Sequence, residues 1–498
     1  MSRDEVAGVV FPASADGRRS TSAVGRAVAA DALRQVDPAG ALAAEQDTDW
    51  RTGYLVHFRR LVEAGLASKD AAVSVARGGL ESVHRQMRVV HHGEETGLGS
   101  LLSAPAQRLV ATVTVPGTGE AESELSLPCH GERLRGSALL RRLDMWAEGG
   151  VIEPSCAEAV RTVAAHPQWL RLAGRTVVAL GAGAEVGPVP VLLGWGAQVI
   201  AIDLPGPPIW ERLVDTARRS GGRLVVPVAD LEPGHGQPGR NDQAVTQRAG
   251  LDLLSDVPAI AGWLAAVDGP LVLGNYVYAD GAANVRLAAA ADALTVRLQA
   301  SRGDVALAFL ATPTDVFAVP AEAVTQSARA YATRSPASKL AGGTLRTMSG
   351  GRLLRRAYTP GADPGINDSL VSQQGPNYAL AKRMHRWRAT LARDSGATVS
   401  MNLAPPSRTR SVVKNRALAA AYAGAYRFGV EVFEPATCKV LMAALLVHDL
   451  HTGGGPAHAH PWQDEAHQAA HGGLWRIAYA PRSALALAAA LGYATARK

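Results

Sequence analysis

From Arg175 onward the chain alternates short apolar runs with helix-like repeats. Thr176–Leu180 is almost wholly apolar and runs into the glycine-rich turn Gly181–Gly187, which predicts a strand buried on both faces. Pro188–Trp195 predicts a helix, because a proline is tolerated in the first turn, where its missing N–H would have no helical partner. Gln198–Ile202, Leu224–Val228, Leu271–Tyr278, Val305–Leu310 and Thr398–Asn402 repeat the strand pattern, with helical spacing at Ile209–Ser220 and Asn284–Ala300. Strands and helices alternating through short connections specify a parallel sheet covered by helices. The fold class predicted is α/β, a doubly wound parallel sheet, over residues 171–450.

Outside that core the pattern changes. Thr21–Leu33, Tyr54–Ala64, Leu139–Trp146 and Ala157–Leu170 carry apolar residues at three- and four-residue spacing, so residues 1–170 read as a mainly helical accessory domain. Leu109–Val115 and Glu122–Leu127, joined through a turn that begins Pro116-Gly-Thr-Gly119, predict a β-hairpin. Val319–Pro376 is too long for a structureless loop within a compact domain; residues 321–374 are expected to form an inserted lid or subdomain. Residues 451–498 read as a histidine-rich loop followed by a packed helix at Ser483–Ala494.

Composition narrows the function classes. The net charge is +7, with 51 basic residues of which six are lysine. The basic clusters Arg352–Arg356, Lys382–Arg388 and Arg408–Arg416 lack the stacking aromatics of a nucleic-acid groove, so no nucleic-acid partner is expected. Val177–Gly183 and Val440–Val447 fall short of the roughly 20 apolar residues of a membrane helix, and no membrane partner is expected. Met1–Ser20 has acidic residues and no apolar run, unlike a leader or transit peptide. Cys129, Cys156 and Cys438 are scattered with no CxxC spacing, which argues against disulfides and cysteine-based zinc sites. The cytoplasm is the expected compartment.

Candidate chemistry begins at Gly181-Ala-Gly-Ala-Glu-Val-Gly187, set between strand and helix. There Gly181, Gly183 and Gly187 would tighten the turn and admit a pyrophosphate to the backbone. Asp203 ends the second strand, where a carboxylate accepts hydrogen bonds from an adenosine ribose. No arginine follows it immediately, so NAD is favoured over NADP. Further on, Tyr378-Ala-Leu-Ala-Lys382 places a phenol and an ammonium on one helix face. A neighbouring ammonium favours the phenolate, bringing the hydroxyl into range for proton exchange with an alcohol or carbonyl.

The order of strand, Tyr-x-x-x-Lys helix, strand and Asn402-Leu-Ala-Pro-Pro-Ser-Arg-Thr409 resembles the short-chain dehydrogenase/reductase superfamily, over roughly 175–320 and 375–450. The resemblance implies a Rossmann domain and interconversion of a carbonyl and an alcohol by hydride transfer with a nicotinamide cofactor. Tyr378 would then be the general acid/base, Lys382 would lower its pKa and hold the nicotinamide ribose, and Thr312, or else Thr314, would hydrogen-bond the substrate oxygen. Asn284 would anchor a proton relay, and Asp230 would lie near the adenine beside Asp203. The insertion is then expected over the nicotinamide end of the cleft. A small-molecule or acyl substrate is expected, with a 3-oxoacyl ketoreductase as the first guess, in a homo-oligomer. Departures are Glu185 within the glycine turn, Gly274-Asn-Tyr-Val-Tyr278 after the fourth strand and Pro406 in place of glycine. Glu185 and the altered fourth strand favour the alternative, a catalytically inactive dinucleotide-binding scaffold or sensor. A third reading, a metal hydrolase, would draw on His448, His451, His458, His460, His467 and His471, but Gly453–Pro456 splits them and no HExxH occurs. An exposed polar loop without metal is the expectation there.

Overall fold

The computed structural model describes residues 7–106, 108–229, 242–454 and 458–495. Its centre is a seven-stranded sheet of β1 (Val110–Pro116), β2 (Thr176–Leu180), β3 (Gln198–Ile202), β4 (Arg223–Ala229), β5 (Leu271–Asn275), β6 (Val305–Ala311) and β7 (Val399–Leu403). The spatial order is β7-β6-β5-β2-β3-β4-β1. All neighbours are parallel except β1 and β4. From β4 across to β7 this is the order of a dinucleotide-binding doubly wound sheet, so the fold is Rossmann-like. Register aligns the strand ends, with Leu180 opposite Ile202 on one side and Asn275 on the other.

The continuous apolar runs are explained by burial on both faces. In β2, Val178 and Leu180 enter one core while Val177 and Ala179 enter the other, as the two-residue period of a strand requires. The first core holds α1 (Lys69–Gln86) and the helices of residues 21–65 with the long helices after β5 and before β7; the second holds the helices Gly136–Glu148 and Pro154–Ala165, α2 (Val189–Gly194), α3 (Pro207–Arg218) and the long helix after β7. Those remaining helices are α4 (Ala282–Ser301), α5 (Gly375–Asp394), α6 (Arg416–Gly424), α7 (Pro435–Thr452) and α8 (Pro481–Thr495).

The N-terminal helices are joined to the sheet's helical layer rather than held apart from it. The Trp387 ring of α5 occupies the space that a side chain at Gly79 of α1 would need. Asp292 of α4 accepts from Arg388 of α5 at 2.6 Å and contacts His84 of α1 at 2.7 Å. Burial opposes ionisation of Asp292, but Arg388 and His84 hold its carboxyl well below the usual range.

One pairing differs from the sequence reading. Val110–Pro116 does not fold back on Glu122–Leu127; it runs antiparallel along β4, with Val113 opposite Val226. Alternating residues specify a strand but not its partner, and β4 would otherwise leave an open sheet edge. The hairpin in this region instead joins Leu127–Cys129 to Glu132–Leu134.

Within the insertion, Gly365–Asp368 pairs with Val316–Val319. The helices Ala321–Ala332 and Pro336–Met348 pack toward the C-terminal segment, where Ser327 Oγ donates to the Ile477 carbonyl at 2.6 Å and Arg334 to the Tyr479 hydroxyl at 2.7 Å. Cys129, Cys156 and Cys438 are buried and unpaired. Among the described residues no helix is long and apolar enough to cross a membrane.

Candidate active site

Parallel strands place their carboxyl ends together, and the chain leaves β2 and β5 in opposite directions, which opens a crevice between them. Here that crevice is a cleft with about 2360 Å³ of empty space, lined among others by Gly181, Gly183, Asp203, Thr312, Tyr378 and Lys382. Six residues singled out from sequence therefore meet in one place. Asp230 lies outside the described residues.

The glycine turn forms one end. Gly181 has φ +75°, and a Cβ there would stand 3.0 Å from the Val277 Cα, so both backbone conformation and space require glycine. The Gly183 N–H donates to Asp203 Oδ2 at 2.7 Å, and Asp203 Oδ1 accepts from the Leu204 N–H at 2.8 Å. Gly187 is not among the lining residues; its N–H closes the turn on the Ala184 carbonyl at 3.1 Å. Pro188 and Pro190 open the short helix α2 without N–H groups, and the Val191 and Leu192 N–H groups are bound to the Pro188 carbonyl. The helix terminus therefore offers an anion few donors.

Two charged groups complete this end. Glu185 turns toward the far wall and accepts the Arg410 N–H at 2.8 Å, with the Arg410 Nε at 3.5 Å. Arg212 of α3 also lines the cleft, and its guanidinium and Asp203 Oδ2 each lie 3.1 Å from where a Gly183 Cβ would stand. No arginine directly follows Asp203 in the sequence; Arg212 enters the same end of the cleft from the following helix.

Tyr378 and Lys382 form the other end, half-buried one turn apart near the start of α5. Burial pushes the Tyr378 phenol up to about 12, opposed by a hydrogen bond from Thr312 and reinforced by the charge of Asp315. Burial lowers the Lys382 ammonium to about 8. Thr312, just past β6, is buried and lies 2.9 Å from the Thr314 hydroxyl. The loop carrying both threonines is held to α5 by charge: Asp315 accepts from Arg383 at 2.6 Å and Arg386 at 2.7 Å, and Arg386 also binds Glu465 at 2.6 Å.

Asn284 falls outside the lining. It sits buried in the first turn of α4, its Oδ1 accepts the Ala279 N–H at 3.2 Å, and its Nδ2 has no hydrogen-bond partner among the described residues. It ties the loop after β5 to the helix. Tyr278 and Tyr422 were missed from sequence. The Tyr278 ring stands edge-on to Tyr378 at 6.2 Å and its hydroxyl donates to Asp280 at 2.9 Å. Tyr422 lines the same cleft, as do Gln373 and Gln374 at the end of the insertion. None of these belongs to a local motif; only the fold brings them in.

Among the described residues most of the C-terminal histidines are packed rather than exposed on a loop, while His451 is exposed. His471 is fully buried against Glu153 at 2.9 Å, His451 stacks on Trp169, His458 meets Asp464 at 2.8 Å, and His460 caps the helix Pro461–Ala466. Each side chain fills a packing or hydrogen-bonding role that the glycine-rich sequence around it did not reveal. Among the described residues no group of three or more His, Cys, Asp or Glu side chains is placed to hold a metal ion.

No family model and no curated protein matches the sequence. Among solved structures, a thiolation-reductase di-domain from an archaeal non-ribosomal peptide synthetase aligns with 12% identity and a TM-score of 0.27. The alignment covers 54% of this chain and about half, 52%, of the other.

Proposed function

We propose that the protein is a nicotinamide-dependent oxidoreductase of the short-chain dehydrogenase/reductase type that interconverts a carbonyl and an alcohol. The observation that carries this reading is the meeting of Tyr378, Lys382 and Thr312 in one cleft with Gly181, Gly183 and Asp203. Gly181 and Gly183 line the end of the cleft where a pyrophosphate would lie, and Asp203 keeps acceptor capacity for ribose hydroxyls after binding two backbone N–H groups. Lys382 would hold the nicotinamide ribose. The bound dinucleotide supplies or accepts the hydride.

The chain's own part is proton transfer. A phenol displaced to about 12 is protonated at neutral pH, so Tyr378 is suited to donate its proton to the oxygen of a carbonyl being reduced. Thr312 orients the same oxygen and hydrogen-bonds the tyrosine. Donors aimed at an oxygen that gains negative charge stabilise the transition state more than the ground state.

At the adenosine end Asp203 opposes a 2′-phosphate, while Arg212 offsets part of that charge. NAD(H) is the proposed cofactor. Fluorescence titration is expected to show tighter binding of NADH than NADPH, and a wider gap in Arg212→Ala. Tighter binding of NADPH would reverse the cofactor assignment, and binding of neither would remove the oxidoreductase reading. A second reading, a non-catalytic dinucleotide sensor, is favoured by Glu185 and by the altered segment Gly274–Tyr278 after β5. Bound NADH without turnover across ketones, 3-oxoacyl thioesters and secondary alcohols would establish it.

A further inference from the structure

Beside the catalytic end of the cleft lies a second, apolar chamber with about 730 Å³ of empty space, part of it open to solvent. Its walls include Leu370, Leu418, Phe428, Ile477 and Leu485, drawn from the end of the insertion, α6, the C-terminal segment and α8. Helices α6 and α8 pack so closely that the backbone leaves no room for side chains at Gly424 and Gly492. They form a fixed wall of the chamber.

Three observations say what the chamber suits. It shares Gln374, Pro406, Leu418 and Tyr422 with the catalytic cleft, so the two spaces adjoin. Its polar groups are few: Arg482 is engaged by Asp368 at 2.8 Å, and Thr314 lies 2.9 Å from Thr312, the residue that hydrogen-bonds Tyr378. Burial, with the neighbouring Tyr378, pushes the Tyr422 phenol above its ordinary value, which keeps a neutral hydroxyl at the junction. An anionic group would find no unengaged cation in these walls, whereas methylenes would be desolvated there.

Building on the oxidoreductase reading, we propose that this chamber binds the uncharged aliphatic chain of a medium-length carbonyl or alcohol substrate, with its oxygen-bearing end directed past Tyr422 toward Thr312 and Tyr378. Each buried methylene adds affinity in such a site, so selectivity follows chain length.

The test is binding of the neutral fluorophore 1-aminoanthracene to the full chain, without dinucleotide. Saturable binding displaced by decan-2-one at a concentration at least roughly tenfold below that needed for butan-2-one is expected. Leu485→Trp and Leu474→Trp replace half-exposed wall residues that do not line the catalytic cleft with bulkier side chains. Each is expected to weaken the fluorophore by roughly tenfold while circular dichroism and NADH affinity stay unchanged. Absence of saturable binding to the wild type, equal displacement by the two ketones, or wild-type affinity in both variants would overturn the chamber assignment. Should either variant fail to fold, the wild-type displacement series still decides. Chain-length-selective binding in a protein that does not bind NADH would instead overturn the oxidoreductase reading and leave the chamber standing.

Discussion

At the scale of single residues, the informative feature is that burial moves Tyr378 and Lys382 in opposite directions, toward their neutral forms. Lys382 falls from 10.5 to about 8. Between those values the unfolded chain holds more protons, so stability from this site rises with pH across that window, and below it both states are charged. Holding the nicotinamide ribose calls for the charged ammonium, present below about 8. The kcat/KM for NADH-driven carbonyl reduction is therefore expected to fall as pH rises through about 8, and Lys382→Arg should move that fall to higher pH. A profile unchanged by Lys382→Arg would detach the titration from Lys382. Tyr378, Lys382, Thr312, Gly181, Gly183 and Asp203 were legible in sequence because each follows a strand end or occupies one helical turn. Arg212 and Tyr422 were not, since each reaches the cleft only through packing of a separate element, and Tyr278, although it follows β5, carries no motif that assigns it to the site. Asn284 does not line the cleft: its position after β5 fits, but its Oδ1 accepts the Ala279 N–H and ties the loop to α4.

At the scale of elements, the glycine turn and the segment after β7 meet across the cleft through Glu185 and Arg410. A carboxylate beside a pyrophosphate is repelled by it, and turning toward Arg410 reduces that conflict without removing the charge. Glu185→Gln keeps the size and a backbone acceptor but removes the charge. NADH is expected to bind a few-fold more tightly in this variant, the scale of one partly exposed charge interaction, as read by fluorescence titration. Weaker binding would show that the contact with Arg410 holds the turn open for the cofactor. Strand positions were legible wherever the apolar run was continuous, as in Thr176–Leu180 and Gln198–Ile202. The partner of Val110–Pro116 was not, because edge pairing is settled by the open side of β4, more than a hundred residues away.

For the whole molecule, the helices of residues 21–86 share one core with the sheet, and α5, which carries Tyr378 and Lys382, packs between them. Gly79 marks the contact: Trp387 fills the space above it. Gly79→Val would force α1 away from α5 and is expected to destabilise the protein by about 1–3 kcal/mol, measured as a lower denaturant midpoint. Unchanged stability would mean that the N-terminal helices pack independently of the layer that holds α5. Sequence separated residues 1–170 from the sheet because the patterns differ in period, and periodicity does not reveal that two patterns bury against each other.

The central claim is that Tyr378 moves the proton in a dinucleotide-driven reduction. Its most direct test compares NADH consumption by the wild type and Tyr378→Phe over a ketone and 3-oxoacyl thioester panel, with NADH affinity measured alongside. The variant is expected to bind NADH like the wild type and to turn over roughly 10²–10⁴-fold more slowly. Wild-type turnover in Tyr378→Phe would contradict the account.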